Sequence, residues 1–379
     1  MIKREHLDEI QLTRAFAIIA VLFVHSTSSG VTVLEPDSLL YPMYNFLNIA
    51  GKLGTPTFIM LSSFVLFYNY YSREVNIELI KRFYLKRLKF ILIPYIVFSF
   101  IYFSIKADYT SISSAIQSFL ELLALGKAHP HLYFVFISVQ FYILFPLLLI
   151  LFKRFAFLRR NAIWIGIALQ WLWVILNKNI FLITFKGSIA LSYLSFYFLG
   201  AYLGIYYNEI KDKLRHRDSR DKIILPLFTG FGIMLVLYTG YMYLTRIGVL
   251  EFVSPYIPFV VNRYLSEFTW ATYTLMAGLV LFYLAHIANR VWKPRVKMAA
   301  MEIGAVSFGI YLIHPLFLAI LREVYSSGSP LLYHGWQLLT FLLVSIASWI
   351  CVRATYYFFP YYWVVFGKMQ PIPKKKTDQ

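Results

Sequence analysis

The sequence predicts an all-α integral membrane protein of about ten transmembrane helices, with both termini in the cytoplasm. Three observations lead there. Hydrophobic residues fill 59% of the 379 positions, charged residues only 14%, and mean hydropathy is +0.64; soluble domains carry about a quarter charged residues. The apolar residues fall in long continuous runs, each about the length needed to cross a bilayer. Aromatic residues reach 19%, and many Tyr and Trp lie near the ends of those runs, as interfacial belts require.

The runs cover roughly residues 11–30, 43–69, 90–106, 132–152, 162–178, 188–208, 223–245, 269–289, 301–321 and 337–359. The fifth, with 17 residues, is one of the two shortest of the set. Lipid offers backbone groups no partners, and runs this long are helices rather than barrel strands. Orientation follows from the basic residues: 27 of the 36 Lys and Arg lie in 3–14, 73–89, 153–160, 211–222, 290–297 and 368–376. These segments alternate with the rest, and the positive-inside rule puts them, with both termini, in the cytoplasm. Of the connections, 107–131 and 246–268 are the longest on the outer side. "SISSAIQSFLELLALG" in the first reads as an amphipathic helix at the interface. A single membrane domain over 1–366 is expected, followed by a basic cytoplasmic tail, 367–379, whose lysines meet anionic lipid. There is no internal repeat, which weighs against inverted-repeat transporter folds.

Several classes are excluded. The net charge of +18 lies in loops next to lipid headgroups, so the expected partner is the bilayer and not nucleic acid. With Cys351 alone, neither a disulfide framework nor a thiolate metal site is available. Residues 1–30 could be a cleaved leader by length. However, Glu5, Asp8 and Glu9 precede the apolar run and no A-x-A site follows, so a retained anchor helix is expected.

The first run, "TRAFAIIAVLFVHSTSSG", carries Arg14 and His25. Eleven residues advance a helix by about 1,100° and about 16 Å, so the two share a stripe at different depths. Arg14 alone reads as a snorkelling anchor and His25 alone as an interhelical hydrogen-bonding group. Together they read as functional, because ionisable groups in a span are costly and imidazole exchanges protons near neutrality. "GKLGTPTFIMLSSFVLFYNYY" (51–71) reads as a packing stretch, with Gly51, Gly54 and Pro56 permitting close approach, Ser62 and Ser63 bonding across helices, and Lys52 snorkelling. In "KRFYLKRLKFILIPY" (81–95), Arg82, Lys86 and Lys89 fall at i, i+4 and i+7, with Arg87 beside them. This face either sets topology or seats phosphate oxygens. His129 and His131 flank Pro130 without a third ligand, so no metal site is predicted. Gln140 is a mid-span polar group in need of a partner. Ser307, Tyr311 and His314 share one face of the ninth run, with Glu302 nearer the cytoplasmic end. They form either an interhelical polar seam or a second site. There is no nucleophile elbow, Walker loop or dinucleotide fingerprint.

In order and spacing these pieces resemble the acyltransferase-3 family of integral membrane acyltransferases, from about residue 8 to 366. The markers are Arg14-x10-His25, "GTPTFIMLSS", the basic run ending "ILIPY", "YFVFISVQFYILFPLL", "FYFLGAYLG" and "IYLIHP". "GTP", "QFYIL" and "FLGAYLG" are closest to the Gram-positive branch that holds the polysaccharide intercellular adhesin proteins. Its members were first described as poly-N-acetylglucosamine exporters and later as O-succinyltransferases. Two departures stand out. Phe90 replaces an arginine common in the family, with Lys89 nearest, and "YFVF" with Gln140 replaces a Trp-x-Leu and a glutamate, so no carboxylate role transfers. An appended soluble hydrolase-like domain, present in longer members, is also absent from this sequence.

The resemblance implies transfer of an acetyl or succinyl group from cytoplasmic acyl-CoA, a co-substrate rather than a tightly bound cofactor. The acceptor would be a hydroxyl of an extracytoplasmic glycan or lipid-linked glycan. It implies a multi-pass protein of the bacterial plasma membrane, working beside glycan synthesis or export proteins. Carried onto this chain, His25 is the general base and Arg14 orients the donor or meets developing charge. Arg82, Lys86, Arg87 and Lys89 hold the CoA phosphates, while Tyr311, His314, Ser307 and Gln140 support the site. The competing expectation is a polysaccharide exporter that uses the same histidines as a proton relay.

Overall fold

A computed structural model describes residues 7–106, 111–253, 259–324 and 330–372. The leader through His6 and the tail from Pro373 onward lie outside the described residues, as do parts of the expected outer connections. No strand occurs among the described residues. Nine helices there are long and apolar enough to cross a membrane, matching nine of the ten expected runs. The remaining run, 188–208, forms a shorter apolar segment, Ala190–Ile205.

The chain begins with α1 (Asp8–Val33), α2 (Tyr41–Ala50) and α3 (Gly54–Tyr70), the last two joined by a short 3-10 turn. Next come α4 (Ile77–Arg87), a π turn at Leu88–Leu92 and α5 (Ile93–Lys106). Asn76 starts α4 by accepting from the Leu79 amide at 2.9 Å, as a capping side chain does. The helix therefore begins well before the expected residue 90, because the basic stretch ahead of the apolar run is helical too. The wide turn precedes Pro94, which lacks the N–H that would satisfy the Phe90 carbonyl.

Then follow α6 (Ile112–Ala124), α7 (Tyr133–Arg154), α8 (Ala156–Arg160), α9 (Ala162–Leu176) and α10 (Leu194–Ile205). The Ser111 side chain caps α6 by accepting from Ser114 N at 3.2 Å, and none of the helix's residues is buried. That suits the expected interfacial helix. After α9 a second π turn, Asn177–Phe181, ends at Leu182 with φ of 53°. The Asn177 amide group bonds both Ile183 N and Ile183 O there, closing the helix end. The remainder is α11 (Tyr207–Arg215), α12 (Arg217–Arg246), α13 (Val249–Val253), α14 (Phe259–Val291), α15 (Pro294–Val324), α16 (Pro330–Phe358) and α17 (Tyr362–Phe366).

Contacts divide the chain into two units. The first holds residues 59–210 and 352–371. Its core is aromatic: Phe64, Phe67, Phe141, Phe145, Phe152 and Tyr197 are buried. The Phe141 and Tyr197 rings stack with centroids 4.1 Å apart. Ser63 Oγ donates to the Tyr197 carbonyl at 2.6 Å and Ser62 bonds the Tyr142 hydroxyl at 3.2 Å, as expected of this pair. Gly200 lies directly against the Met60 carbonyl, a backbone-to-backbone approach that only a residue without Cβ permits. Met369 is buried and Arg353 donates to the Gln370 carbonyl at 2.7 Å, so the first residues of the expected tail pack into this unit.

The second unit holds residues 5–58 and 211–351. Gly304 of α15 meets the Gln11 backbone of α1, and Gly54 meets Ala17 and Val21, which is the packing role expected of Gly54. Lys297 pairs with Asp8 at 3.0 Å, and Trp349 Nε1 donates to Glu302 at 3.0 Å. An apolar cluster of Ile49, Leu53, Met234, Tyr238, Tyr273 and Ala277 fills the side formed by α2, α12 and α14.

Candidate functional site

The second unit brings His25 and His314 together. Their rings lie 5.0 Å apart between centroids, inclined at 56°. His314 is fully buried on α15, with buried Tyr311 and Ser307 one and two turns earlier; the Tyr311 and His314 rings are 5.9 Å apart. His25 is half-buried on α1.

Local sequence explains how His314 is held. Pro315 has no N–H, so the Tyr311 carbonyl four residues back lacks its usual helical partner. His314 Nδ1 occupies that carbonyl at 2.8 Å and also reaches Ile310 O at 3.1 Å. A carbonyl only accepts, so Nδ1 carries the proton. The neutral ring then presents Nε2 as its basic nitrogen. The dipeptide His314-Pro315 therefore fixes a tautomer.

Arg322, farther along α15, grips the α1 backbone at the same place. Its Nη2 donates to the His25 carbonyl at 2.7 Å and to Ser28 Oγ at 2.8 Å. Ser28 Oγ in turn donates to the His25 carbonyl at 2.8 Å. Ser29 Oγ donates to Gln337 Oε1 at 2.9 Å, and Tyr44 Oη bonds His334 Nδ1 at 2.9 Å. The hydroxyl of Tyr333 is buried beside Ser29 and Arg322. The result is a polar cluster with two imidazoles, a guanidinium and a tyrosine hydroxyl. It contains a proton acceptor and donors for a developing oxyanion.

Of the expected site residues, His25, His314, Tyr311 and Ser307 come together in this unit. Arg14 lies on the same continuous α1, half-buried, about 16 Å of helix rise from His25. It shares the stripe of His25 at a different depth. Arg322, Gln337, His334, Tyr44 and Tyr333 were not singled out from sequence. One signal was present: Arg322 stands eleven residues after Tyr311, the spacing that separates Arg14 from His25.

The other candidates fall in the first unit. Gln140 is saturated by backbone, donating to Ser188 O at 2.7 Å and accepting from Ala190 N at 3.0 Å. It fastens the loop ahead of α10. Arg82 pairs with Glu78 at 2.6 Å, and Lys86 is exposed. The π turn after Arg87 ends the 3.6-residue register that aligned Lys89 with Arg82 and Lys86, and the Lys89 ammonium lies 4.2 Å from the Trp363 ring centroid. Arg87 covers the Tyr142 ring at 4.8 Å, with Nε buried and unpartnered, beside a groove of about 510 Å³. His129 and His131 face each other through Nδ1 atoms 2.6 Å apart.

Comparison with known proteins matches residues 7–353 to the acyltransferase-3 family, described as an acyltransferase domain. Similar curated proteins include the "Probable poly-beta-1,6-N-acetyl-D-glucosamine export protein" of Staphylococcus aureus (strain MSSA476), 25% identical over 316 residues that cover 79% of each chain. The protein of the same name from Staphylococcus epidermidis is 25% identical over 326 residues, 83% of this chain and 82% of that one. No solved structure matches.

Proposed function

Because the chain belongs to the acyltransferase-3 family and is a multi-pass protein of the cell membrane, we propose that it moves an acetyl or succinyl group from cytoplasmic acyl-CoA to a glycan hydroxyl. The acceptor is an extracytoplasmic polysaccharide or its lipid-linked precursor. The observation that carries this reading is the His25–His314 pair, with His314 locked in one tautomer.

In this scheme His25 takes the proton of the acceptor hydroxyl as its oxygen attacks the thioester carbonyl carbon. The carbon–sulfur bond then breaks, and the proton passes from His25 to the departing thiolate. Arg322 and the Tyr333 hydroxyl are the donors best placed to meet the tetrahedral oxyanion. Arg14, deeper along α1, orients the donor. Arg82, Lys86, Arg87 and Lys89 are one candidate seat for the CoA phosphates, although Arg82 and Lys89 already have partners of their own.

The name of the staphylococcal relatives supports a second reading: export of poly-N-acetylglucosamine, with the histidines as a proton relay. Mass spectrometry of surface glycans separates the two in cells carrying wild type, a deletion, or His25→Ala at matched expression. Acyl transfer predicts loss of an ester-sized mass from glycan that still reaches the surface. Export predicts unchanged ester content with glycan held inside, and that result would overturn the acyltransferase scheme.

A further inference from the structure

A polar cavity that shares no residue with the histidine cluster lies within the same unit. Its volume is about 500 Å³, and α11, α12, α14 and the start of α1 form its walls. Four cations line it: Lys211, Arg215, Arg220 and Arg290. Glu9 supplies the single carboxylate of the lining. Arg215 is held by Asp212 at 3.3 Å through Nη1, and Arg220 by Asp221 at 2.9 Å through Nε. Neither carboxylate lines the cavity. Each guanidinium has five N–H donors, so most remain for a guest.

The lining is more than a charged surface. Asn289 Oδ1 is buried there with no hydrogen-bond partner, an acceptor waiting for a hydroxyl or amine. His286 spends Nδ1 on the Phe282 carbonyl at 2.8 Å. Tyr283, Leu214 and Ile287 add an apolar wall. By the positive-inside count, 211–222 and 290–297 are cytoplasmic, where phosphorylated metabolites and anionic headgroups are both found.

We propose that this cavity binds phosphate esters, with Lys211, Arg215, Arg220 and Arg290 as the phosphate ligands and Asn289 reading an adjoining hydroxyl or amine. The guest is either the nucleotide end of the thioester donor or an anionic phospholipid headgroup. Assignment to the donor rests on the acyl-transfer reading; the phosphate site does not. A donor bound here by its nucleotide would run its arm past Arg14 toward His25, since Glu9 and Arg14 are five residues apart on α1, about 7–8 Å of rise.

The test is binding without turnover, on the full chain purified in detergent. In one arm adenosine 3′,5′-bisphosphate is titrated calorimetrically. In the other, phosphatidylglycerol retained through purification is counted by native mass spectrometry. The variant Lys211→Gln/Arg290→Gln removes two phosphate ligands, and a loss of roughly tenfold or more in affinity is expected for two charge-assisted hydrogen bonds. Arg217→Gln serves as the charge control, because Arg217 is 85% exposed, pairs with Asp221 at 3.7 Å and does not line the cavity. It should bind as wild type does. Melting temperatures verify folding, and wild-type affinity should fall as salt rises.

Weakened nucleotide binding in the double variant alone establishes the donor site. Lost phosphatidylglycerol with nucleotide binding unchanged establishes the headgroup site. If neither arm responds, or if Arg217→Gln matches the double variant, the phosphate site is overturned. The His25→Ala variant keeps these failures apart from failure of the acyl-transfer reading: it should bind the nucleotide normally whether or not glycan esters are lost.

Discussion

His25 and His314 sit on different helices with ring centroids 5.0 Å apart, and the carbonyl that accepts from His314 Nδ1 is one that Pro315 cannot use. The two rings therefore differ in kind. His314 is held by its own helix, while the backbone of His25 is held by Arg322 from across the interface between α1 and α15.

If His25 is the base and His314 its neighbour in the same proton path, the two losses should not add. Each single alanine variant should lower acyl transfer by about 10²–10⁴-fold. The double variant should fall little further than the worse single. Ester formation in membranes with added acyl-CoA and glycan acceptor measures this; independent, multiplying losses would separate the two residues.

Pro315→Ala tests the tautomer lock. The new N–H at 315 can reclaim the Tyr311 carbonyl, which restores a helical hydrogen bond and frees the His314 ring to turn. Removing an interior proline should leave the melting temperature unchanged or higher, yet activity should drop by about tenfold or more as the ring loses its position. A variant with full activity would show that the ring needs no such anchor.

Arg322→Lys keeps the charge but removes the planar fork that reaches both the His25 carbonyl and Ser28. An ammonium and a guanidinium are not interchangeable at a two-acceptor site. The expected result is a kcat loss of roughly tenfold with KM for acyl-CoA little changed. Equal activity in Arg322→Lys and wild type would reduce Arg322 to a source of positive charge.

Two glycine substitutions separate contact from propensity. Gly304→Ala pushes a Cβ into the Gln11 backbone, which no side-chain rotation relieves, whereas a Cβ at Gly232 meets nothing within 4 Å. Gly304→Ala should cost about 1–3 kcal/mol, and Gly232→Ala should be neutral or stabilising by about 0.5–1 kcal/mol. Thermal melts in detergent read both, and a harmless Gly304→Ala would mean that α1 and α15 can part freely.

By itself the sequence determined the helices and their faces. Continuous apolar runs demand internal backbone pairing in lipid, so the spans followed from length, and helical periodicity placed Arg14 with His25 and Ser307 with Tyr311 and His314. Periodicity acts within one helix and is silent about what lies opposite. Only the tertiary structure brought His314 to His25 and turned Arg322 onto the His25 carbonyl. It alone gave the Gln140 amide to the backbone at Ser188 and Ala190. The π turn that carries Lys89 to Trp363 escaped the 3.6-residue count because Pro94 widens the helix locally. The cationic cavity drew Lys211, Arg215 and Arg220 together with Arg290 from helices far apart in the chain. In sequence these were merely inside-facing charge, because a count of basic residues records which side of the membrane they occupy and not which of them converge.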